Sequence, residues 1–180
     1  MKLTQNKGIA ITFMVVLIVM STMISGVMKV NSLARSVNQE FIVGSENDGL
    51  SISRDLSTRV TRAKNILSIA KSYIGQSDSN FSTAQQAIDI LSDSSDKSEL
   101  YQANQDLQAS IDSIYARLLD SNVSEKNLKS LKEEKSVFDN ANNTISYDPY
   151  NTLVSEYEEK TNTIPGNIFK LFSSKVEYFK

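Results

Sequence analysis

The sequence predicts an all-α protein: an antiparallel, up-and-down four-helix bundle preceded by an N-terminal transmembrane helix. Three observations predict it. A charge-free run from Gly8 to Met28 is bracketed by Lys7 and Lys29. Further along, apolar residues recur three and four apart in several separate segments, the period of one helix face. The 180 residues include only six Gly and two Pro, and no segment alternates as a half-buried strand would. A two-stranded coiled coil is the alternative, but Gly and Ser clusters break the stripes into pieces too short for one long rod.

The apolar run comes first. Its centre, Ile9 to Met20, is nearly unbroken in apolar character, and its full extent matches the roughly 20 residues a helix needs to cross a bilayer core. Ser21, Thr22 and Ser25 dilute its last third, where their hydroxyls can bond back to carbonyls of the same helix. The rival reading is a cleaved signal peptide with Lys2 and Lys7 as its basic head and Ser32-Leu33-Ala34 as its cleavage site. Counted to Met20, that leaves an overlong spacer; counted to Met28, the apolar run is too long for an ordinary signal. An uncleaved anchor fits better. The chain then divides into a short tail over 1–7, an anchor over 8–29 and a helical domain over 30–180. Lys2, Lys7 and the amino terminus precede the span, while Lys29 and Arg35 behind it are soon diluted by Glu40, Glu46 and Asp48. This balance places the N-terminus in the cytoplasm and the domain outside.

Val30, Leu33, Val37 and Phe41 continue the helix beyond the bilayer, and the cluster Gly44 to Gly49 ends or kinks it. Ile52, Leu56, Val60, Ala63, Leu67, Ala70 and Ile74 form one stripe of a long amphipathic helix. Gly75 to Asn80 interrupts it, and Ser82-Thr83-Ala84-Gln85 has the spacing of a capping box opening a short helix through Leu91. Ser92 to Ser98 is a polar corner. Leu100, Ala103, Leu107, Ile111, Ile114 and Leu118 make the next stripe. Leu128, Leu131, Phe138, Ala141 and Ile145 make another, with a gap at Glu134 and Lys135. Asp148 ahead of Pro149 suits an N-cap with Pro at the first helical position. The helix it opens places Tyr150, Val154, Tyr157, Thr161 and Ile164 on one side, and Ile164-Pro165-Gly166 ends or bends it.

Composition narrows the chemistry. The chain has no Cys, no His and no Trp, which removes disulfides, Cys/His metal sites and most nucleophile–base machinery. No phosphate loop, zinc motif or serine elbow is present, so the sequence suggests no enzyme and no cofactor. The formal charge is −2, and setting aside Lys2, Lys7 and Lys29 leaves −5, which discourages a nucleic-acid partner.

Two stretches resemble a known family. Leu56 to Tyr73, reading LSTRVTRAKNILSIAKSY, is similar to the long central helix of LemA-type proteins, with L-x-x-R, P-N-L-V and V-K-G-Y signatures. Tyr150-Asn151-Thr152-Leu153-Val154-Ser155-Glu156-Tyr157, then Ile164-Pro165-Gly166-Asn167, Phe172 and the closing Tyr178-Phe179, resemble the family's ending. That ending reads Y-N-x-x-V-x-x-Y-N, F-P-x-N and a terminal Y-F. Order, spacing and anchor agree over most of the chain, while 81–146 matches by helical character alone. Lys64 stands where the family has Pro, Ser72 where it has Gly and Glu158 where it has Asn, and Pro149 falls inside what is usually continuous helix. The resemblance implies a four-helix bundle tethered to a bacterial membrane, with no established enzymatic activity.

The motif residues Arg59, Asn65, Lys71, Tyr73, Tyr150, Asn151, Val154, Tyr157, Pro165 and Asn167 are read as shaping the bundle. Arg59, Lys64 and Lys71 read as a solvated basic face, with Asp55 one helical step from Arg59 as an ion-pair partner; contact with anionic headgroups is the other reading. Lys126, Lys129, Lys132 and Lys135 spiral among acids as exposed, self-paired surface. Asn65 and Asn151 suit hydrogen bonds across a bundle seam that fix its register, with ligand contact as the alternative. Tyr73, Tyr150 and Tyr157 read as packing residues with a wetted hydroxyl. The tail from Ile168 to Phe179 either folds back on the bundle or docks on a bilayer or partner, with Ile168 and Phe172 expected to pack. The function expected is an interaction or scaffold module of the cell envelope with an unidentified protein partner and self-association through the span or bundle. A ligand-binding or sensory bundle is the alternative, and it requires a polar cavity.

Overall fold

The structure, a computed structural model, describes residues 7–44, 50–75 and 78–180. Among them are seven helices and no strand: α1 (Lys7–Val43), α2 (Ile52–Ala70), α3 (Ser79–Asp93), α4 (Lys97–Leu119), α5 (Glu125–Tyr147), α6 (Tyr150–Thr161) and α7 (Ile164–Lys170). The tail over 1–6, the rest of the connection after Gly44, and Gln76-Ser77 lie outside the described residues.

The chain forms two compact units, one of residues 1–38 with 152–176 and the other of residues 39–151 with 177–180. In the larger unit, α2 packs most extensively on α5 and α3 on α4, and α2 also meets α3 and α4. Every residue of the stripe read in α2, from Ile52 to Ile74, is buried, as is every one of the six read in α4. With Phe81, Ala84, Ile88, Leu131 and Phe138, the stripe residues from Val60 to Ile74 and from Ala103 to Leu118 form one apolar core. Each side chain of this size contributes about 1.5–3 kcal/mol by leaving water, which outweighs the modest helix propensity of the Ser- and Asn-rich faces.

Side-chain oxygens set the helix starts. Ser51 accepts from the Arg54 amide, Asp78 from Asn80, Asp96 from Ser98 and Glu99, and Ser124 from Asn127. These satisfy amides that have no partner within their own helix. The capping box expected at Ser82 is not used: the cap of α3 lies four residues earlier, at Asp78, and Gln85 instead donates to Asp89 at 2.9 Å. At the start of α6, Asp148 accepts from the Tyr150 amide at 2.9 Å, as Asp148-Pro149 predicted.

In the smaller unit α1 runs unbroken from Lys7 through its share of the unit and ends at Val43, where Gly44 takes the left-handed φ of 85° of a helix stop. Thr12 and Thr22 bond back to Gly8 and Ile18 carbonyls at 3.0 and 2.9 Å, so neither hydroxyl is left bare. Past the apolar run, the residues buried are Val30, Ala34 and Val37; Ala34 takes the place expected of Leu33, which is half-buried. Pro165 opens a helix instead of closing one. The chain leaves α6 at Thr161, Thr163 caps α7 by accepting from Gly166, and Pro165 sits in the first turn, where its missing N–H costs nothing. Ile164 therefore leaves the face of Val154 and Tyr157 and is 84% exposed.

Candidate functional site

The most distinctive chemistry in the larger unit lies on the faces of α2, α4 and α5. Arg59 is wholly buried in the middle of the α2 stripe. Its guanidinium lies 4.0 Å from the centroid of the Phe138 ring. It donates to Gln108 Oε1 at 2.8 Å and, at the long limit, to the carbonyls of Phe138 and Asn104 at 3.4 and 3.5 Å. Gln108 in turn donates to Asp112 at 3.0 Å and to Asp139 at 3.2 Å. The Lys135 ammonium bridges the same two carboxylates, 2.9 Å from Asp112 and 2.5 Å from Asp139. Two cations and two carboxylates thus form a balanced network with Gln108 relaying between them. Beside it, Arg62 pairs with Glu134 at 3.2 Å, so Glu134 and Lys135, the gap in the α5 stripe, carry the polar contacts between helices.

Burial lowers the Arg59 guanidinium to about 10, with the charges of Asp139 and Asp112 holding back part of the fall. Burial pulls Lys135 down too, but its hydrogen bonds to Asp139 and Asp112 outweigh it and leave the ammonium raised. Among the described residues, three buried side-chain polar atoms have no hydrogen-bond partner: Arg59 Nε, Arg62 Nε and Asn104 Oδ1. Asn104 donates to Asn142 Oδ1 at 3.2 Å, and both line a polar cavity of about 250 Å³ with Tyr101, Gln105, Ser146 and Asp148 among its walls.

A second cluster clasps the C-terminus. Asn151 grips the backbone of Phe179 from both sides, donating to its carbonyl at 2.8 Å and accepting from its amide at 2.9 Å. The Tyr150 hydroxyl donates to the Glu177 carbonyl at 2.6 Å, and Ser98 to that of Lys180 at 3.3 Å. The Phe179 ring, buried, meets Tyr101 edge-on at 5.3 Å and Phe41 at 5.7 Å. Burial, aided by the Glu177 charge, pushes the Tyr150 phenol well above its ordinary range.

The predicted residues divide accordingly. Arg59 does not belong to a solvated basic face, nor does it turn to Asp55; its stem and charge both go inward, leaving Lys64 and Lys71 exposed without it. Asn65 is exposed and fixes no seam. Asn151 bonds the Phe179 backbone of the tail, where a bond across a helical seam was expected. Tyr73 has the expected half-wet hydroxyl, accepting from Asn127 at 2.7 Å and bonding Ser124 at 3.3 Å, and these bonds lower its phenol. Tyr150, Val154 and Tyr157 are buried, Pro165 starts α7, and the exposed Asn167 contributes its amide to the Thr163 carbonyl at 2.8 Å. Ile168 and Phe172, expected to pack, are 44% and 65% exposed, whereas Phe179 is buried. Lys135 is half-buried in the network, unlike the exposed Lys126, Lys129 and Lys132.

Comparison with protein-family models, curated proteins and solved structures finds no match. The site is thus read from its own chemistry. Among the described residues no three acidic side chains gather as a metal site would require. One helix among them, α1, is long and apolar enough to cross a membrane, and none of its apolar stretch is buried.

Sequence reasoning missed Asn104, Gln108, Asp112 and Asp139. Asn104 carried a readable signal, since it lies four residues after Leu100 and three before Leu107, on the buried stripe itself.

Proposed function

We propose that the protein is a membrane-anchored helical module of LemA type that recruits or organises a protein partner in a bacterial cell envelope. Its N-terminus lies in the cytoplasm, α1 spans the membrane once, and α2 to α5 form an up-and-down antiparallel bundle outside. The observation that carries this reading is α1: a bare apolar stretch that runs without a break into a helix whose later residues are buried in folded protein. Such a stretch has no place in water, and the rest of the chain has a core of its own.

The network around Arg59 supports an architectural role. Its charged groups are neutralised by one another, and no nucleophile sits beside a base, so the residues hold the helices in one register without performing a reaction. The module is read as no enzyme and as binding no nucleic acid, and it self-associates through the span or bundle. In vivo cross-linking from exposed lysines of α5, such as Lys129, tests this. Recovery of an envelope protein supports it; recovery of cytosolic proteins alone contradicts it.

A second reading, a ligand-binding or sensory bundle, is favoured by the polar cavity beside Asn104 and Asn142. Its amide-rich wall suits a small neutral hydrogen-bonding molecule. Asn142→Leu would abolish such binding while sparing partner cross-linking.

A further inference from the structure

In the unit of residues 1–38 and 152–176, one glycine fixes a depth. Gly26 lies two residues inside the end of the charge-free run, about 3 Å along the helix axis from Met28. A Cβ at Gly26 would overlap the Phe169 ring, so that ring lies directly against the bare helix backbone. Phe169 belongs to α7, and its contact holds the end of α7 level with the last turn of the apolar run.

Beyond this point the chain climbs α1. The Ser174 amide and hydroxyl both bond Asn31 Oδ1, at 3.2 and 2.8 Å, and Asn38 donates to the Lys175 carbonyl at 3.1 Å. The contacts rise from position 26 to 31 to 38 on α1, about 18 Å along its axis. Of the contacts this segment makes along α1, that of Phe169 lies nearest the apolar run. In the stretch around it, the tip from Ile164 to Phe172, Ile164, Ile168, Leu171 and Phe172 are 84%, 44%, 79% and 65% exposed. Ile164 and Ile168 share a face of α7, and Leu171 and Phe172 follow in the turn that ends it.

Four large apolar side chains left bare within nine residues are disfavoured by water. On the same turns of α1, Ile24 and Met28 are also bare, at 58% and 68% exposed. We propose that the tip from Ile164 to Phe172 is a second membrane contact. It is an interfacial wedge that inserts these side chains into the leaflet from which α1 emerges, with Lys29 and Lys170 at headgroup level. The proposal rests on α1 spanning the bilayer, because that fixes the depth of Gly26. A wedge beside a span restricts tilt and rotation of the helix, and so sets how the unit stands on the membrane.

The chain has no Trp, so single tryptophans report without interference. Full-length F172W, V16W and L119W variants would be placed in nanodiscs of phosphatidylcholine and phosphatidylglycerol carrying lipids brominated at shallow or deep acyl positions. Quenching of F172W by shallow bromines and of V16W by deep ones, with L119W open to aqueous iodide, is the result expected. F172W untouched by bromolipid while V16W is quenched would overturn the wedge and leave the span standing, whether iodide reaches the tryptophan or a protein surface covers it. Bromolipid quenching of L119W equal to that of F172W would overturn a contact confined to the tip. V16W escaping quenching would remove the span and the wedge together.

Discussion

Replacing Arg59 by methionine separates the charge of this residue from its bulk. A guanidinium whose pKa falls on folding to about 10 costs about 3 kcal/mol in its charged form at neutral pH. Methionine removes that cost. It also forgoes the cation–π contact with Phe138 and the 2.8 Å bond to Gln108, each worth about 1–2 kcal/mol in a desolvated site. The Phe138 and Asn104 carbonyls lose little, at 3.4 and 3.5 Å, since both lie within helices. Methionine keeps most of the stem and a thioether against the ring. The terms nearly cancel, so R59M should stay within about 1 kcal/mol of the parent. R59A carries the same electrostatic terms and adds a cavity, and should lose about 3 kcal/mol.

The assay is urea unfolding of the full chain in micelles, followed by near-ultraviolet circular dichroism of the tyrosines. R59A should lower the midpoint by about 1–2 M, and R59M should barely move it. The pH dependence has a definite sign. The folded state gives up the Arg59 proton first, so from about pH 10 up to the ordinary guanidinium range the unfolded chain holds more protons and the parent gains stability relative to R59M as pH rises. R59M as damaging as R59A, or a parent that loses ground to R59M above pH 10, would refute the reasoning.

The clasp on the tail makes further predictions. Asn151→Ala removes both hydrogen bonds to the Phe179 backbone and should cost about 1–3 kcal/mol, with carboxypeptidase trimming the C-terminus faster than in the parent. Unchanged trimming would show that the clasp does not hold the tail. Absorbance titration of the tyrosinates should show one early phenol, lost in Tyr73→Phe, and one that ionises far later than the rest, lost in Tyr150→Phe. The raised Tyr150 phenol contributes stability that is full below the unfolded value of about 10 and is lost as pH climbs toward its folded value, so Tyr150→Phe should flatten the alkaline fall of the melting temperature.

The helices with clean three-four stripes were legible because burial there is decided by local sequence alone: all of Ile52 to Ile74 and of Leu100 to Leu118 fall inward as the spacing requires. Asp148-Pro149 opening α6 was legible for the same reason, since a cap and a proline act within one turn. Arg59 was not. A long basic side chain between apolar neighbours reads as snorkelling, and what draws it inward is Gln108 and Phe138, 49 and 79 residues away. The tail failed similarly. Ile168, Phe172 and Phe179 are all large and apolar, and only the Tyr150-Asn151 pair, by holding the backbone at 177–179, selects Phe179 for burial. Pro165 misled because proline stops a helix and starts one with equal ease; Thr163, two residues before it, decides.

The central claim, an anchor in the membrane with the bundle outside, is tested most directly by single-cysteine labelling, since the natural chain contains no cysteine. Ser95→Cys, exposed in the turn between α3 and α4, would be treated in intact cells with a maleimide that cannot cross membranes. The account predicts labelling before any permeabilisation and retention of the labelled chain in the membrane fraction after alkaline extraction. Labelling only after the membrane is opened, or release of the chain by alkali, would contradict it.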